Sequence, residues 1–312
     1  MSISRPKVIT TAIVLFITVT GILVVSQGFG GEFRAKKSSS EYNSNLSKVF
    51  PLPDSVSFAG EKMPLGNFDT RESLEREIII TAYRHSSTIL IIKRTTRYFP
   101  VIEKILKQYN IPDDFKYLAV AESDLSNLIS PAGATGFWQI MPETGKEEGM
   151  EINNEVDERY SIERSTRFAC EYFLKSYARY GNWTLAAASY NGGRNGLDDQ
   201  IEIQHEKNYY DLLLNDETSR YIFRVIAYKL IINDPTAYGF EIDKKELYPV
   251  MKYNEVKVDT AVTDFSNFAK KFGTNYKLLK LLNPWLRKPY LTNKSGRSYP
   301  VKIPAEGSRI SD

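Results

Sequence analysis

The chain has 312 residues, 42% hydrophobic and 12% aromatic, enough apolar material for a sizeable core and for more than one domain. Its 41 Lys and Arg stand against 38 Asp and Glu, so a net charge of +3 leaves no basic stripe of the kind that binds nucleic acid, and no nucleic-acid partner is expected. The one cysteine, Cys170 in "RFACEYF", permits no internal disulfide and reads as an inert buried thiol; the two histidines, His85 and His205, are too far apart for a metal-ligand spacing.

Arg5 and Lys7 precede the uncharged run "VITTAIVLFITVTGILVV" at residues 8–25. As a helix it would span about 27 Å, close to a hydrocarbon core of about 30 Å. Residues 1–26 therefore read as a membrane segment, and both a signal anchor and a cleaved signal peptide fit, Val24 and Ser26 offering a weak cleavage site. In either case positive charge before the run puts the rest of the chain on the non-cytoplasmic side, the periplasmic face of a membrane in the cell envelope. Residues 27–57, "GGEFRAKKSSSEYNSNLSK" and then "PLPDS", read as a polar linker without a core of its own.

Beyond the linker the apolar spacing becomes helical. "RYFPVIEKILKQYN" sets Ile102, Ile105, Leu106 and Tyr109 at i, i+3, i+4 and i+7, and Pro112 with Asp113 and Asp114 starts a second helix. "SIERSTRFACEYFLKSYARYG" predicts a third, capped by Ser161 and stopped at Gly181, with shorter ones at residues 183–188 and 217–232. No alternating strand pattern stands out between Phe58 and Pro235, so this part is expected to be mainly α.

Within it, "FKYLAVAESDLSNLISPAGATGFWQIMPETG" carries Glu122 on the apolar face of its helix, near the directions of Phe115, Leu118 and Ala119. A carboxyl placed so is expected to be desolvated, its pKa raised towards that of a general acid near neutral pH. The nearby carboxylate, Asp124, lies two residues on and points round the helix, so the two do not form a facing pair. On the residues alone, a structural ion pair with an Arg or Lys explains Glu122 as well as catalysis does. The loop that follows offers Gly133 and Gly136 for close backbone approach, the amide of Gln139, and the apolar surfaces of Trp138 and Met141, a combination suited to a sugar chain. "AAASYNGG" at residues 186–193 presents Tyr190 and Asn191 ahead of two glycines.

These pieces in this order, "ES" at Glu122 and Ser123, "SPAGATGFWQIMPETG", "ERYSIERSTRFACEYFLKSYARYGNWTLAAASYNGG" and "ETSRYIFRVIAYKL", resemble the soluble-lytic-transglycosylase (SLT) domain of the family 1 lytic transglycosylases over residues 58–235. The resemblance implies a lysozyme-like α-helical fold. It implies cleavage of the β-1,4 bond between N-acetylmuramic acid and N-acetylglucosamine in peptidoglycan, leaving 1,6-anhydromuramoyl ends, without metal or organic cofactor. It also implies Glu122 as the single catalytic acid and base, with Ser123, Gln139, Met141, Ser189, Tyr190 and Asn191 around the substrate, Ser130 matching a serine that supports the reaction and Tyr221 a tyrosine near the acid. The sequence departs from the pattern at Phe137, where Leu is commoner, at Ser189, where Ala is usual, and in a Glu122-to-Ser130 loop one residue shorter than in some relatives.

After a second linker at residues 236–249, residues 250–304 predict a small separate βααβ unit followed by a tail at 305–312. Val256 and Val258 alternate, Phe265, Phe268, Ala269 and Phe272 are helically spaced before Gly273, Leu278 to Leu282 end at Asn283 and Pro284, and "SYPVKIP" closes. With "VDT", "FAKKFG" and "LNP" the unit is similar to a LysM module, a peptidoglycan and chitin-oligomer binder; Val258 replaces the usual Gly, and the loop before the last strand is enlarged. The partners so implied are peptidoglycan glycan strands, a membrane through the N-terminal segment, and cell-wall enzyme complexes. A goose-type-lysozyme-like hydrolase and a non-catalytic wall-binding scaffold are the two other readings the same residues allow.

Overall fold

The computed structural model describes residues 48–309. The expected membrane segment and most of the first linker lie outside the described residues, among which no helix is long and apolar enough to cross a membrane. A hairpin of β1 (Ser57–Phe58) and β2 (Glu61–Lys62) leads into α1 (Phe68–Tyr83) and α2 (His85–Gln108). Then come α3 (Lys116–Ser123), α4 (Pro142–Glu147), α5 (Ile162–Tyr180), α6 (Trp183–Gly192), α7 (Arg194–Gln204) and α8 (Asp216–Asn233). This lobe is mainly α.

Local chemistry explains several of these boundaries. The Ser161 hydroxyl accepts from Arg164 N at the start of α5, and Gly181, at φ 73°, ends the helix in the left-handed conformation that costs glycine least. The start of α6 is capped twice, by Asn182 Oδ1 accepting from Leu185 N at 2.7 Å and by the Glu61 carboxylate accepting from Trp183 N at 2.6 Å and Thr184 N at 2.9 Å. An acid there meets the positive end of the helix. The small residues Ala186, Ala187 and Ala188 are wholly buried where α6 packs on α5 and α8.

The structure differs from the sequence expectations in two places. The spacing at residues 183–188 predicts a short helix, yet α6 continues to Gly192 and carries Tyr190 and Asn191 on its last turn. Helix α1 shows no clear apolar stripe; it buries Thr70, Glu77 and Thr81 beside Leu74, Ile78 and Ala82, so half of its inward face is polar.

The C-terminal lobe is the expected βααβ unit: β3 (Tyr253–Val258), α9 (Phe265–Lys271), α10 (Tyr276–Leu282) and β4 (Tyr299–Pro304), with β3 and β4 antiparallel from the pair Tyr253 and Pro304 to the pair Val258 and Tyr299. Its core is not self-contained. Val156 and Tyr160 of the large lobe belong to the same buried cluster as Val258, Phe265, Leu279, Trp285, Leu286 and Val301. Backbone bonds cross the seam, Asp157 N to Trp285 O at 2.9 Å and Arg287 N to Glu155 O at 2.7 Å. Side chains join them: Glu151 accepts from Tyr299 OH at 2.9 Å and Arg297 Nη1 at 3.1 Å, Glu155 from Thr292 N at 2.7 Å, and Glu163 pairs with Lys302.

Candidate active site

Glu122 occupies the last turn of α3. The helix stops one residue later because Asp124, at φ 51°, takes a left-handed cap, and Leu125 follows at φ 54°. Asp124 is thereby turned to other work: its carboxylate meets Arg84 Nη2 at 3.2 Å and accepts from Tyr228 OH at 3.4 Å. Helix α8 supplies the opposing wall, where Glu217, Tyr221, Arg224 and Tyr228 fall at helical spacing on one side. The Tyr221 hydroxyl donates to Glu122 Oε1 at 2.5 Å.

Burial is the main force on Glu122 and pushes its pKa up from 4.5 to about 7; the Tyr221 hydrogen bond pulls the other way, Glu217 raises it and Arg224 lowers it. The residue as a whole is partly exposed while its carboxyl is desolvated, and among the described residues it has no ion-pair partner. The Tyr221 and Tyr190 hydroxyls are pushed well above the ordinary tyrosine range, first by burial and then by the Glu122 charge, so both stay protonated donors at neutral pH. Tyr190 donates to Trp138 O at 2.7 Å.

The loop from Asp124 to Met141 forms the other wall. Paired bridges, Ile129 with Thr135 and Thr135 with Ile140, fold it back on itself, and Gln139 turns at φ 45°, a conformation rare outside glycine. The Gln139 amide donates to Gly136 O at 2.9 Å and Leu128 O at 3.2 Å, and Ser130 Oγ accepts from Ala134 N at 3.0 Å, so both side chains brace the loop. Gly136, at φ 86°, answers a close approach to protein, not to a ligand: a Cβ there would lie 2.1 Å from Arg159 O. Arg159 is the clamp. It is held by Asp157 at 2.7 and 3.0 Å and donates through Nη1 to Gly133 O and Ile140 O, both at 3.1 Å.

Of the residues singled out from sequence, Glu122 and Tyr221 touch, Tyr190 lies within the field of Glu122, and Met141 is exposed at the loop's end. Asn191 is tied to α8, its Nδ2 donating to Glu217 at 3.2 Å and its Oδ1 accepting from Thr218 Oγ1 at 2.9 Å. Ser123 and Ser189 have their hydroxyls turned to the protein: both residues are buried, Ser123 Oγ donating to Phe137 O at 2.9 Å and Ser189 Oγ to Ala186 O at 2.8 Å. Sequence reasoning missed Glu77, Arg84, Arg220 and Arg224 beside Glu122, and the pair Asp157–Arg159. For Arg224 the signal was present in its spacing from Tyr221; for Glu77 and Arg84 there was none, since α1 itself was not legible.

Comparison with known proteins gives two domain matches. The Transglycosylase SLT domain matches residues 100–213, and the Soluble lytic transglycosylase C-terminal LysM-like domain matches residues 254–307. The chain is similar to membrane-bound lytic murein transglycosylase D of Escherichia coli strain K12, 25% identical over 221 residues that make up 68% of this chain and 48% of the relative. The protein of the same name from Escherichia coli O6:H1 strain CFT073 gives the same figures, so the chain spans about half the length of the curated relatives it matches. The large lobe thus contains a lysozyme-like SLT transglycosylase domain, and the small lobe is a LysM-like domain of the kind found at the C-terminus of soluble lytic transglycosylases.

Proposed function

We propose that this protein is a lytic transglycosylase of the cell envelope, cutting the β-1,4 bond between N-acetylmuramic acid and N-acetylglucosamine in peptidoglycan with one glutamate, Glu122, as acid and then base. The observation that carries this reading is a carboxyl with its pKa raised to about 7 whose neighbouring acids are held elsewhere: Asp124 by Arg84, Glu77 by Arg220, and Glu217, exposed on α8, by the Asn191 amide. Glycosidases ordinarily need two carboxyl groups, one to protonate the leaving oxygen and one to attack or to activate water. With one, the nucleophile must come from the substrate.

Tyr221 holds Glu122 Oε1, leaving Oε2 free of hydrogen bonds among the described residues. From there Glu122 donates its proton to the glycosidic oxygen while the substrate's 2-acetamido group stabilises the developing cation. The carboxylate so formed takes the proton from the C6 hydroxyl as that oxygen attacks C1, closing the 1,6-anhydro ring. Attack from within the same sugar has the entropic advantage of an intramolecular nucleophile. The apolar bodies of Tyr190, Tyr221 and Met141 keep water from C1, and the LysM-like domain adds a contact to the glycan. A location on the periplasmic side of a membrane, anchored or exported, is supported by the residues 8–25 run and is in line with the name of the relative, which is described as membrane-bound.

Glu122→Gln removes the proton and almost no volume. On purified murein sacculi it should lower the release of soluble fragments by about 10²-fold or more, with the circular dichroism spectrum unchanged. A loss of less than about tenfold, roughly 1.4 kcal/mol of barrier, would contradict the assignment.

A further inference from the structure

A cavity of about 290 Å3 adjoins Glu122, its walls including Glu77, Arg84, Asp124, Arg220 and Arg224. The three arginines come from the end of α1 and from α8, outside the residues 100–213 that match the SLT domain, and neither Tyr190 nor Gln139 reaches this cavity. Two of the arginines are committed. Arg84 pairs with Asp124 at 3.2 Å and donates to Tyr228 OH at 3.2 Å, and Arg220 Nε donates to Glu77 Oε1 at 2.7 Å.

Arg224 is held more loosely. Its Nε forms an ion pair with Glu77 Oε2 at 3.7 Å without a hydrogen bond, whereas the other oxygen of Glu77, a residue 1% exposed, accepts from Arg220. A guanidinium carries five donors in a planar fork that fits a carboxylate with two parallel bonds. Here that fork is half-buried at the edge of a cavity next to the acid.

We propose that this cavity recognises a carboxylate on the muramic-acid side of the glycan, with Arg224 as the residue that sets the preference for charged over neutral strands. The proposal rests on the murein-cleaving reading above. The carboxylate has two sources, the lactyl carboxyl of a strand without peptide and a carboxyl of the peptide stem. Occupation of the cavity also supports the chemistry, because an anion on Arg224 offsets the one cation that favours the ionised form of Glu122.

The test is isothermal titration of the full chain carrying Glu122→Gln, with and without Arg224→Gln, so that neither turnover nor the charge of Glu122 enters. Three probes are used: a neutral N-acetylglucosamine hexamer, murein oligosaccharides stripped of peptide, and the same oligosaccharides with stems. The second substitution should weaken binding about tenfold, roughly 1.4 kcal/mol, for at least one charged probe and leave the hexamer unchanged. Weakening for the stripped strands identifies the lactyl carboxyl, and weakening confined to the stem-bearing strands identifies the stem. Equal affinities with and without Arg224→Gln, or an equal loss for the neutral hexamer, would overturn the carboxylate site. Loss of all glycan binding in the Glu122→Gln protein itself would instead overturn the murein reading. Should Arg224→Gln lose helicity, Arg224→Lys keeps the charge against Glu77 without the fork, and the same comparison decides.

Discussion

The seam between the two lobes and the cleft around Glu122 treat polar groups in opposite ways. At the seam the carboxylates have partners across short distances: Glu151 with Tyr299 and Arg297, Glu155 with Thr292, Glu163 with Lys302, Asp157 with Arg159. Around them Val156, Leu286 and Val301 exclude water. In the cleft, Glu122 has a phenol for company and no cation in contact, and Arg224 pairs with Glu77 at 3.7 Å without a hydrogen bond. A folded chain leaves polar groups unsatisfied at a cost, so the place where it does so is where a ligand is expected to complete them. The contrast predicts that substitutions at the seam cost stability, whereas those in the cleft cost activity and can even stabilise.

The largest effect should come from Leu286→Asp, which puts an unpaired charge into the shared core. It should destabilise the described body by about 3 kcal/mol or more and lower one common thermal transition, with cleavage reduced alongside. If the small lobe instead melted alone while the main transition and activity stayed put, the seam would be a contact between independent domains and the contrast would fail.

In the cleft the sign reverses. Glu122 has a folded-state pKa of about 7 against an ordinary 4.5, so folding favours its neutral form; that contribution is complete below about pH 4.5 and is lost as pH rises through 7. Glu122→Gln should therefore be more stable than the parent by roughly 1–3 kcal/mol at pH 9 and equal to it near pH 4 in chemical denaturation. Equal stability at both pH values would mean that the carboxyl is not desolvated.

Tyr221→Phe sharpens the same point. It removes the hydrogen bond that favours the ionised form, so the Glu122 pKa should rise and the alkaline limb of kcat/KM should move up by roughly one pH unit. A limb that moved down would show that the phenol acts in another way. Smaller still is Arg159→Lys, which keeps a cation beside Asp157 but gives up the fork that reaches Gly133 O and Ile140 O. A loss of about 1 kcal/mol is expected, with faster hydrogen exchange at the amides of Gly136 and Ile140. Unchanged exchange there would mean the loop is held without the clamp.

Much of the frame was legible because its signals are local. Ser161 and Gly181 bracket α5, the alternation at Val256 and Val258 marks β3, and Asn283 with Pro284 closes α10. The environment of Glu122 was legible too, since helical spacing alone puts it among Phe115, Leu118 and Ala119. What stayed hidden depends on long-range pairing. Helix α1 escaped notice because its inward face carries Glu77, whose burial makes sense only once Arg220, far along the chain, is seen beside it. The seam escaped for the same reason: Val156 sits in an ordinary polar stretch, and nothing local says that its core is supplied by Trp285 and Leu286. Gly136 was legible as a necessary glycine, but the close neighbour turned out to be the Arg159 backbone.

The central claim, one carboxyl acting first as acid and then as base with the substrate's own hydroxyl as nucleophile, is tested most directly by digesting murein in oxygen-18 water and reading the products by mass spectrometry. The account predicts unlabelled muropeptides ending in 1,6-anhydromuramic acid, about 18 Da lighter than hydrolysis products and without reducible ends. Oxygen-18 at the muramoyl C1, with borohydride-reducible ends as the main product, would show that water enters the cleft and would contradict it.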